Sequence, residues 1–295
     1  MSEPIAPPDT DAARRAYERA YEAERAAFAD EVAARGLGDV RELLWYHTVD
    51  LGEGLVTPGL YDLRGVLDDY RFPAAMGGRS VLDVGAATGY FSFELERRGA
   101  RVVALELRSL DELDRFHGET LADTVRKMTV MSYLGESEAL SVEQRAAGLY
   151  RTLLRAPFDF CAARLGTAVE RRFMPVYEVS PATAGGAFDL VFVGDVLLHT
   201  LYPTRALAAL ASVCAGELLI VQRLAGSSSD PPAMAYVGGE DPATNRISWW
   251  LPNFQCLRGY LRRLGFSEVE ELGTSTIVLR PAAHPVERTV VRARR

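Results

Sequence analysis

The chain has 295 residues, 48% of them hydrophobic, which is enough for a large domain with a buried core. Its net charge of −7 argues against a general nucleic-acid-binding surface, because phosphate binding needs a basic surface. The three cysteines, Cys161, Cys214 and Cys256, lack metal-ligand spacing, and no apolar run approaches the ~18 residues that span a bilayer. We therefore expect a cytoplasmic protein with no metal site and no membrane contact.

For residues 1–76 the sequence predicts an N-terminal helical extension that covers the core of the protein. Residues 11–35 have the apolar spacing of an amphipathic helix, and the segment that follows is predicted to be helical again after Pro58. Between these helices, "WYHTVD" supplies His47 as a candidate catalytic residue and Trp45 as a candidate substrate contact. The alternative is that this aromatic cluster only packs the extension onto the core.

For residues 77–295 the sequence predicts an α/β core domain. The stretch "SVLDVGAATGYFSFELERRGARVVALEL", residues 80–107, reads as strand, glycine loop, helix and strand, which is the length of a βαβ unit with parallel strands. Residues 109–157 are mostly helix-forming and too long for an ordinary connection, so they predict an inserted helical lid.

The glycine loop does not fit a dinucleotide. Such a loop needs G-x-G-x-x-G, because the pyrophosphate approaches bare backbone at a helix N-terminus. Here Ala86 and Ala87 follow Gly85, so a Cβ stands where the pyrophosphate would press, and Asp83 would repel a phosphate. S-adenosylmethionine has no phosphate, and its ammonium group suits Asp83 while Gly85 and Gly89 let the chain turn beneath it. The loop therefore predicts S-adenosylmethionine as the cofactor.

Two further residues extend this cofactor site. Glu106 ends the second strand about 20 residues beyond the loop, where an acid that binds both ribose hydroxyls belongs. Tyr90 directly follows the loop and is a candidate for the methionine side of the cofactor.

Residues 78–225 resemble the class I S-adenosylmethionine-dependent methyltransferases, on the loop D-x-G-x-x-x-G and the acid that ends the next strand. The resemblance implies a Rossmann-like α/β fold with a seven-stranded, mostly parallel sheet that ends in an antiparallel hairpin, "FSEVEEL" and "STIVLRP". It implies that Tyr177 and Glu178 border the adenine, and that Gly194 and Asp195 lie near the cofactor. From the residues alone, Asp195 either contacts the ligand or bonds the backbone that follows it.

A narrower resemblance covers most of the chain after residue 44. The segments "WYHTVDLGEGLVTPG", "VFVGDVLLH" and "WWLPNFQCLRGYLRRLGF" are similar to the tRNA wobble-uridine carboxymethyltransferase-like group and its bacterial relatives of unassigned substrate. This resemblance implies a nucleic-acid acceptor as an alternative.

Methyl transfer from a sulfonium depends mainly on positioning the acceptor, and a base is needed only if the acceptor loses a proton. His199 follows a buried strand at the carboxyl edge of the sheet and is a candidate catalytic residue, against a capping or structural role. His117 in the insertion is a candidate lid contact. Trp249 and Trp250 are candidates for an aromatic wall, against a place in the core.

The sequence as a whole predicts methyl transfer to a small-molecule acceptor, at oxygen, nitrogen or an electron-rich carbon, in specialised-metabolite biosynthesis. The alternatives are a transferase that modifies the tRNA wobble uridine and a non-catalytic binding module. The basic run "RTVVRARR" predicts a solvated tail, with RNA contact as its alternative. The sequence leaves open whether the chain forms a homodimer.

Overall fold

The computed structural model describes residues 11–131, 139–241 and 247–295. None of the helices in these ranges combines the length and apolar character that a membrane crossing requires. The strands are β1 (Ser80–Val84), β2 (Arg101–Glu106), β3 (Glu170–Phe173), β4 (Phe188–Gly194), β5 (Cys214–Gln222), β6 (Met234–Tyr236), β7 (Trp250–Pro252), β8 (Glu268–Leu279) and β9 (His284–Arg294). The helices are α1 (Asp11–Ala34), α2 (Tyr90–Arg97), α3 (Leu121–Met131), α4 (Val142–Tyr150), α5 (Ala156–Leu165), α6 (Pro181–Ala184), α7 (Pro203–Ser212) and α8 (Phe254–Arg263).

The central sheet has seven strands in the order β3-β2-β1-β4-β5-β9-β8. Strands β1 to β5 run parallel, and β9 is antiparallel to both of its neighbours. This confirms the predicted Rossmann-like, mostly parallel fold. The strand order reverses between β1 and β4, and open α/β sheets bind ligands outside the carboxyl ends of the strands at such a switch point.

The sheet ends in an antiparallel hairpin as predicted, but the two segments assigned to its strands are wrong. The segments "FSEVEEL" and "STIVLRP" form one continuous strand, β8, whose register shifts between Glu271 and Gly273. The sheet absorbs this glycine as a bulge, so it does not end the strand. The partner of β8 is β9, which contains the basic run predicted to be a solvated tail. Val290 and Val291 of that run are fully buried.

After helix α1, the rest of the N-terminal segment, up to residue 76, packs across the sheet edge as a largely extended chain. Helix α1 confirms the first predicted helix, and the Tyr21 hydroxyl donates to the Pro58 carbonyl at 3.0 Å. The prediction of a helix after Pro58 is wrong, because that stretch holds only a 3-10 turn at Leu67–Tyr70. A Cβ at Gly59 would overlap the Thr48 backbone nitrogen, so this glycine lets two extended runs lie side by side. The predicted division after residue 76 stays a prediction.

The insertion has a small apolar core of its own. Ser141 caps α4 through a capping box with Gln144, and a π-helical turn at Arg151–Arg155 connects α4 to α5. The core joins the insertion to Leu44 of the N-terminal segment. Residues 132–138 of the predicted insertion lie outside the described residues. The insertion and the N-terminal segment thus cover the same end of the sheet.

Candidate active site

A cavity of about 1020 Å³ opens at the carboxyl ends of β1, β2 and β4. Ligand pockets are typically about 300–1,000 Å³, so this volume is at the upper end of that range. The N-terminal segment and α3 supply the side of the cavity that faces away from the sheet. The cavity therefore lies where the strand order places a ligand.

The loop between β1 and α2 forms the floor of the cavity. Gly85 has φ +73°, and a Cβ there would lie 2.6 Å from Cγ2 of Val196. Ala87 has φ +49°, which is uncommon for a residue other than glycine. Its N–H donates to Oε2 of Glu106 at 3.0 Å. The loop is therefore held in a fixed, sterically tight conformation against β2 and the residues after β4.

Glu106 lines the cavity from the end of β2. Its Oε1 accepts a hydrogen bond from the Leu107 N–H at 2.8 Å, and its Oε2 accepts the one from Ala87. Burial raises the pKa of this carboxyl, and the two N–H groups oppose that shift. Each carboxylate oxygen has two lone pairs, so Glu106 keeps the capacity to accept two further hydrogen bonds.

Asp83 is buried beneath the glycine loop, at the end of β1. Burial raises the pKa of this carboxyl to about 7, the Ser92 hydroxyl lowers it, and the nearby charge of Glu106 raises it. Ser92 Oγ donates to Oδ2 of Asp83 at 2.5 Å. A buried carboxyl of this kind is stabilised as a carboxylate by an incoming cation.

Asp195, which lines the cavity after β4, forms an ion pair with Arg288. Asp195 follows β4 with φ +51°, and its N–H donates to the Val221 carbonyl at 2.8 Å. Arg288 reaches it from β9, with Nε 2.5 Å from Oδ2. The second carboxylate oxygen, Oδ1, is buried and has no hydrogen-bond partner among the described residues. Burial raises the pKa of Asp195, and Arg288 opposes that shift.

His199 lies in the 3-10 turn that follows β4. Its Nδ1 contacts the carbonyl oxygen of Ile247. A carbonyl can only accept, so Nδ1 carries the proton and Nε2 holds a free lone pair. Burial is the largest influence on this imidazole and lowers its pKa, so the ring is neutral near pH 7.

The N-terminal segment joins the site through His47. The backbone N–H of His47 donates to Oγ1 of Thr88 in the glycine loop at 3.1 Å. Its ring lies against Phe91, with 5.7 Å between the ring centroids. Burial lowers the pKa of His47 to about 3, so the ring carries no charge at neutral pH.

Tyr177 borders the cavity beyond β3. Its hydroxyl donates to Asp114 of the insertion, and Asp114 Oδ2 also accepts the Leu201 N–H at 2.6 Å. This network ties the insertion to the segments after β3 and β4. Glu178, the other residue predicted at the adenine, is exposed and pairs with Arg108 at 2.7 Å.

The structure brings together half of the residues predicted for the site, and it places the others elsewhere. Ala86 and Gly89 belong to the glycine loop but do not line the large cavity. Tyr90 faces a separate pocket of about 210 Å³ that Asp50 and Arg64 also line. The predicted residues that line the large cavity are His47, Asp83, Gly85, Glu106, Tyr177, Gly194, Asp195 and His199.

The predicted tryptophans pack in the protein interior or against a neighbouring strand. Trp45 is 2% exposed and packs edge-on against Phe28 and Phe160. Trp249 is 1% exposed and lies beneath Phe116 of the insertion.

Trp250 lies in β7 and packs on Tyr236 of the neighbouring strand, with 5.2 Å between the ring centroids. His117 sits in an exposed turn of the insertion. In the parts of the chain that the structure describes, none of these residues lines the large cavity.

Sequence reasoning misses several residues at the cavity or in contact with its lining. Tyr46, Tyr70 and Asp114 line the cavity, and Arg288 holds Asp195 from a strand predicted to be a tail. Lys127, the only lysine of the chain, also lines it and forms a buried ion pair with Glu119 at 2.6 Å. Only the tyrosine beside His47 had a cue, in the aromatic cluster "WYH".

Comparisons with solved structures give distant likenesses. The N-terminal domain of EvdMO1 with S-adenosylhomocysteine bound is 20% identical, with a TM-score of 0.49 over 85% of this chain and 92% of that one. Magnesium protoporphyrin IX methyltransferase from Synechocystis PCC 6803 is 15% identical, with a TM-score of 0.42 over 75% and 76%.

The 1,6-didemethyltoxoflavin-N1-methyltransferase of Burkholderia thailandensis is 18% identical, with a TM-score of 0.43 over 74% of this chain and 72% of that one. No curated protein matches the chain.

The family comparison covers most of the chain. The model described as "Methyltransferase domain" matches residues 60–271, which include the glycine loop, the insertion and the residues that follow β4. The fold and the class of cofactor predicted from the sequence agree with this match. The chain therefore belongs to the methyltransferase domain family and is an S-adenosylmethionine-dependent methyltransferase.

Proposed function

We propose that this enzyme methylates a small molecule, at oxygen, nitrogen or an electron-rich carbon, in specialised-metabolite biosynthesis. The observation that carries the proposal is the cavity of about 1020 Å³, which extends from Glu106 at β2 to Asp195 at β4 beneath the N-terminal segment and the insertion. A volume at the upper end of the range for single ligands leaves room for a cofactor and a small acceptor together.

The described residues fit S-adenosylmethionine. Asp83 is a buried carboxyl that a cation stabilises as a carboxylate, which suits the ammonium group. Glu106 can accept two further hydrogen bonds, which suits the ribose hydroxyls. Gly85 and Gly194, at the ends of β1 and β4, expose backbone without a side chain to the cavity. When bound, S-adenosylmethionine supplies a methyl carbon activated by a sulfonium.

The residues of the chain position the acceptor and hold its proton. His199 offers an unprotonated Nε2, because the Ile247 carbonyl fixes the proton on Nδ1. Burial lowers the pKa of His199, Asp195 raises it and Arg288 lowers it, so the imidazole is neutral and able to accept a proton. We assign to His199 the role of proton acceptor, and to His47 the role of an uncharged wall beside the glycine loop.

The RNA-modifying alternative has less support. The basic run, for which RNA contact is the alternative to a solvated tail, lies in β9, where acidic side chains of β8 pair with two of its arginines. Arg292 pairs with Glu270 at 3.0 Å, and Arg294 pairs with Glu268 at 3.6 Å. With a net charge of −7 as well, the chain offers little to a phosphate backbone.

The test uses purified enzyme and S-adenosylmethionine with a labelled methyl group, incubated with a low-molecular-weight metabolite fraction or with total tRNA. We expect label in a small molecule, which would also eliminate a non-catalytic binding module. Label in tRNA, or tRNA binding that weakens steeply with added salt, would overturn the small-molecule proposal in favour of the RNA alternative.

A further inference from the structure

The part of the cavity that lies across β1 from Glu106 has a distinct composition. We call it the acceptor arm and define it by Tyr46, Tyr70, Phe91, Asp195 and His199, all of which line the cavity. Asp195 follows β4 and Glu106 ends β2, on opposite sides of β1 in the sheet. The acceptor arm therefore lies across the glycine loop from the ribose-binding acid.

The walls of the acceptor arm are aromatic rings. Tyr70 packs on Phe91 with 5.1 Å between the ring centroids, and Tyr46 packs edge-on against Tyr61 at 5.2 Å. Phe192 contacts Phe91 at 4.6 Å and continues the same surface. Flat rings pack best against another ring in an offset or edge-on arrangement, so this surface suits a planar molecule.

Two hydroxyl groups of the acceptor arm are free to bind a polar ligand. The hydroxyls of Tyr46 and Tyr70 make no hydrogen bond with the described residues. Burial is the main cause that raises the pKa of both tyrosines, and both lie within the field of Asp195 and Arg288. Both hydroxyls stay protonated and lie within the electrostatic influence of the ion pair, so they suit an acceptor that carries polar atoms.

The acceptor arm carries no net charge. Arg288 compensates Asp195, and the imidazole of His199 is neutral. The other charged side chains that line the cavity belong to β1, β2 and the insertion. A charged acceptor would have to leave water without a compensating partner in the acceptor arm, which is costly. The composition thus favours an uncharged acceptor.

The base available in the acceptor arm is a weak one. An ordinary histidine has a pKa of about 6.5 and a phenol a pKa of about 10. For an aliphatic alcohol we use the pKa of water, about 15.7. For an ordinary histidine the gap in pKa between base and acceptor is roughly 4 units for a phenol and 9 for an alcohol, and the lowered pKa of His199 widens both gaps. Nε2 of His199 is matched far better to a phenol.

We propose that the acceptor arm binds an uncharged, planar phenol whose hydroxyl faces His199, while Tyr46, Tyr70 and the unpartnered Oδ1 of Asp195 hold its polar substituents. This inference rests on the proposed function. The phenol oxygen forms a bond to the methyl carbon, the carbon–sulfur bond breaks with its electron pair left on sulfur, and the phenol proton passes to Nε2 of His199.

The first experiment measures binding in the presence of S-adenosylhomocysteine, so it needs no turnover. The probes share one ring system and differ in charge: 2-naphthol, 2-naphthoate and 2-naphthylmethylammonium. We expect 2-naphthol to bind at least about tenfold more tightly than either ion, because the ions lack a compensating charge. Equal or tighter binding of either ion, or no binding of 2-naphthol, would overturn the inference.

The second experiment tests whether Asp195 neutralises the charge of Arg288 in the acceptor arm. In Asp195→Asn the guanidinium loses its partner, so we expect 2-naphthoate to gain about tenfold in affinity relative to 2-naphthol. Asp189→Asn is the matched control, because Asp189 lies at the amino end of the same strand and bonds Ser80. An unchanged preference in Asp195→Asn would contradict the assignment of the ion pair.

A double variant guards against misfolding. Asp195→Asn with Arg288→Gln leaves no buried unpaired charge, and we expect it to bind 2-naphthol without gaining affinity for 2-naphthoate. A gain for 2-naphthoate in this variant would contradict the role given to Arg288. Failure of all phenol binding with S-adenosylhomocysteine still bound rejects the acceptor class alone, whereas methyl label in tRNA rejects the proposed function itself.

Discussion

Oε2 of Glu106 accepts a hydrogen bond from the backbone N–H of Ala87 at 3.0 Å, so one carboxylate both fixes the glycine loop and faces the cavity. We expect Glu106→Ala to weaken S-adenosylhomocysteine binding by about 1.5–3 kcal/mol, because hydrogen bonds to a charged acceptor are lost. Titration calorimetry measures this, with Glu271→Ala on the exposed face of β8 as the control. Unchanged affinity in Glu106→Ala would mean that the ribose binds elsewhere.

Cofactor binding should release a proton from Asp83 below pH 7. Burial raises the pKa of the free carboxyl to about 7, so it is largely protonated at pH 6. The ammonium group of the cofactor favours the carboxylate and lowers that pKa, so affinity should rise as pH increases toward 7 and level off above it. Calorimetry at pH 6 in buffers of different ionisation enthalpy counts the protons. Asp83→Asn should abolish the release, and its absence in the wild type would contradict the assignment.

Loss of His199 should slow turnover without loss of the cofactor. We expect His199→Gln to lower kcat by about 10²–10⁴-fold, the usual contribution of a general base, with unchanged S-adenosylhomocysteine affinity. His284→Gln, in the exposed start of β9, is the control. Because burial lowers the pKa of His199, the wild-type rate should rise through a pKa below 6.5 and stay flat above it. Full activity in His199→Gln would assign it a structural role.

The ion pair between Lys127 and Glu119 should stabilise the insertion. Both side chains are almost fully buried, at 5% and 3% exposure, and Nζ of Lys127 lies 5.8 Å above the Trp249 ring. We expect Lys127→Met to reduce the free energy of unfolding by about 3–5 kcal/mol, because it removes the cationic partner of a buried carboxylate. Chemical denaturation followed by tryptophan fluorescence measures the change. Adding Glu119→Gln should restore much of the loss, and no recovery would argue against the pair.

The sequence predicts the parts of the fold that depend on neighbours in the chain. The βαβ unit from Ser80 to Glu106 has a short-range pattern, so the strand, the glycine loop and the helix all appear as predicted. The pairing of β8 with β9 was missed, because Gly273 resembles a turn and the arginines of β9 resemble a tail. The acidic partners of Arg288, Arg292 and Arg294 lie after β4 and on β5 and β8, and the sequence does not reveal that proximity.

The same distinction holds for the candidate site. Asp83, Glu106 and His199 were predicted because the carboxyl ends of parallel strands share one edge of the sheet. Arg288 was missed because its partner, Asp195, is 93 positions away in the chain. Trp249 has two alternatives from the sequence, an aromatic wall or the core, and tertiary packing selects the core, beneath Phe116 of the insertion.

Strand β9 lies between β5 and β8, although it is the last of the described strands in the chain. On the ribosome, β5 and β8 therefore emerge before the strand that joins them, and each keeps an open edge until β9 inserts. Arg288 arrives with that strand, so Asp195 receives its counter-ion only in the final step of sheet assembly. A nascent polypeptide stalled before this step would have the glycine loop of the cofactor site but not the complete acceptor arm.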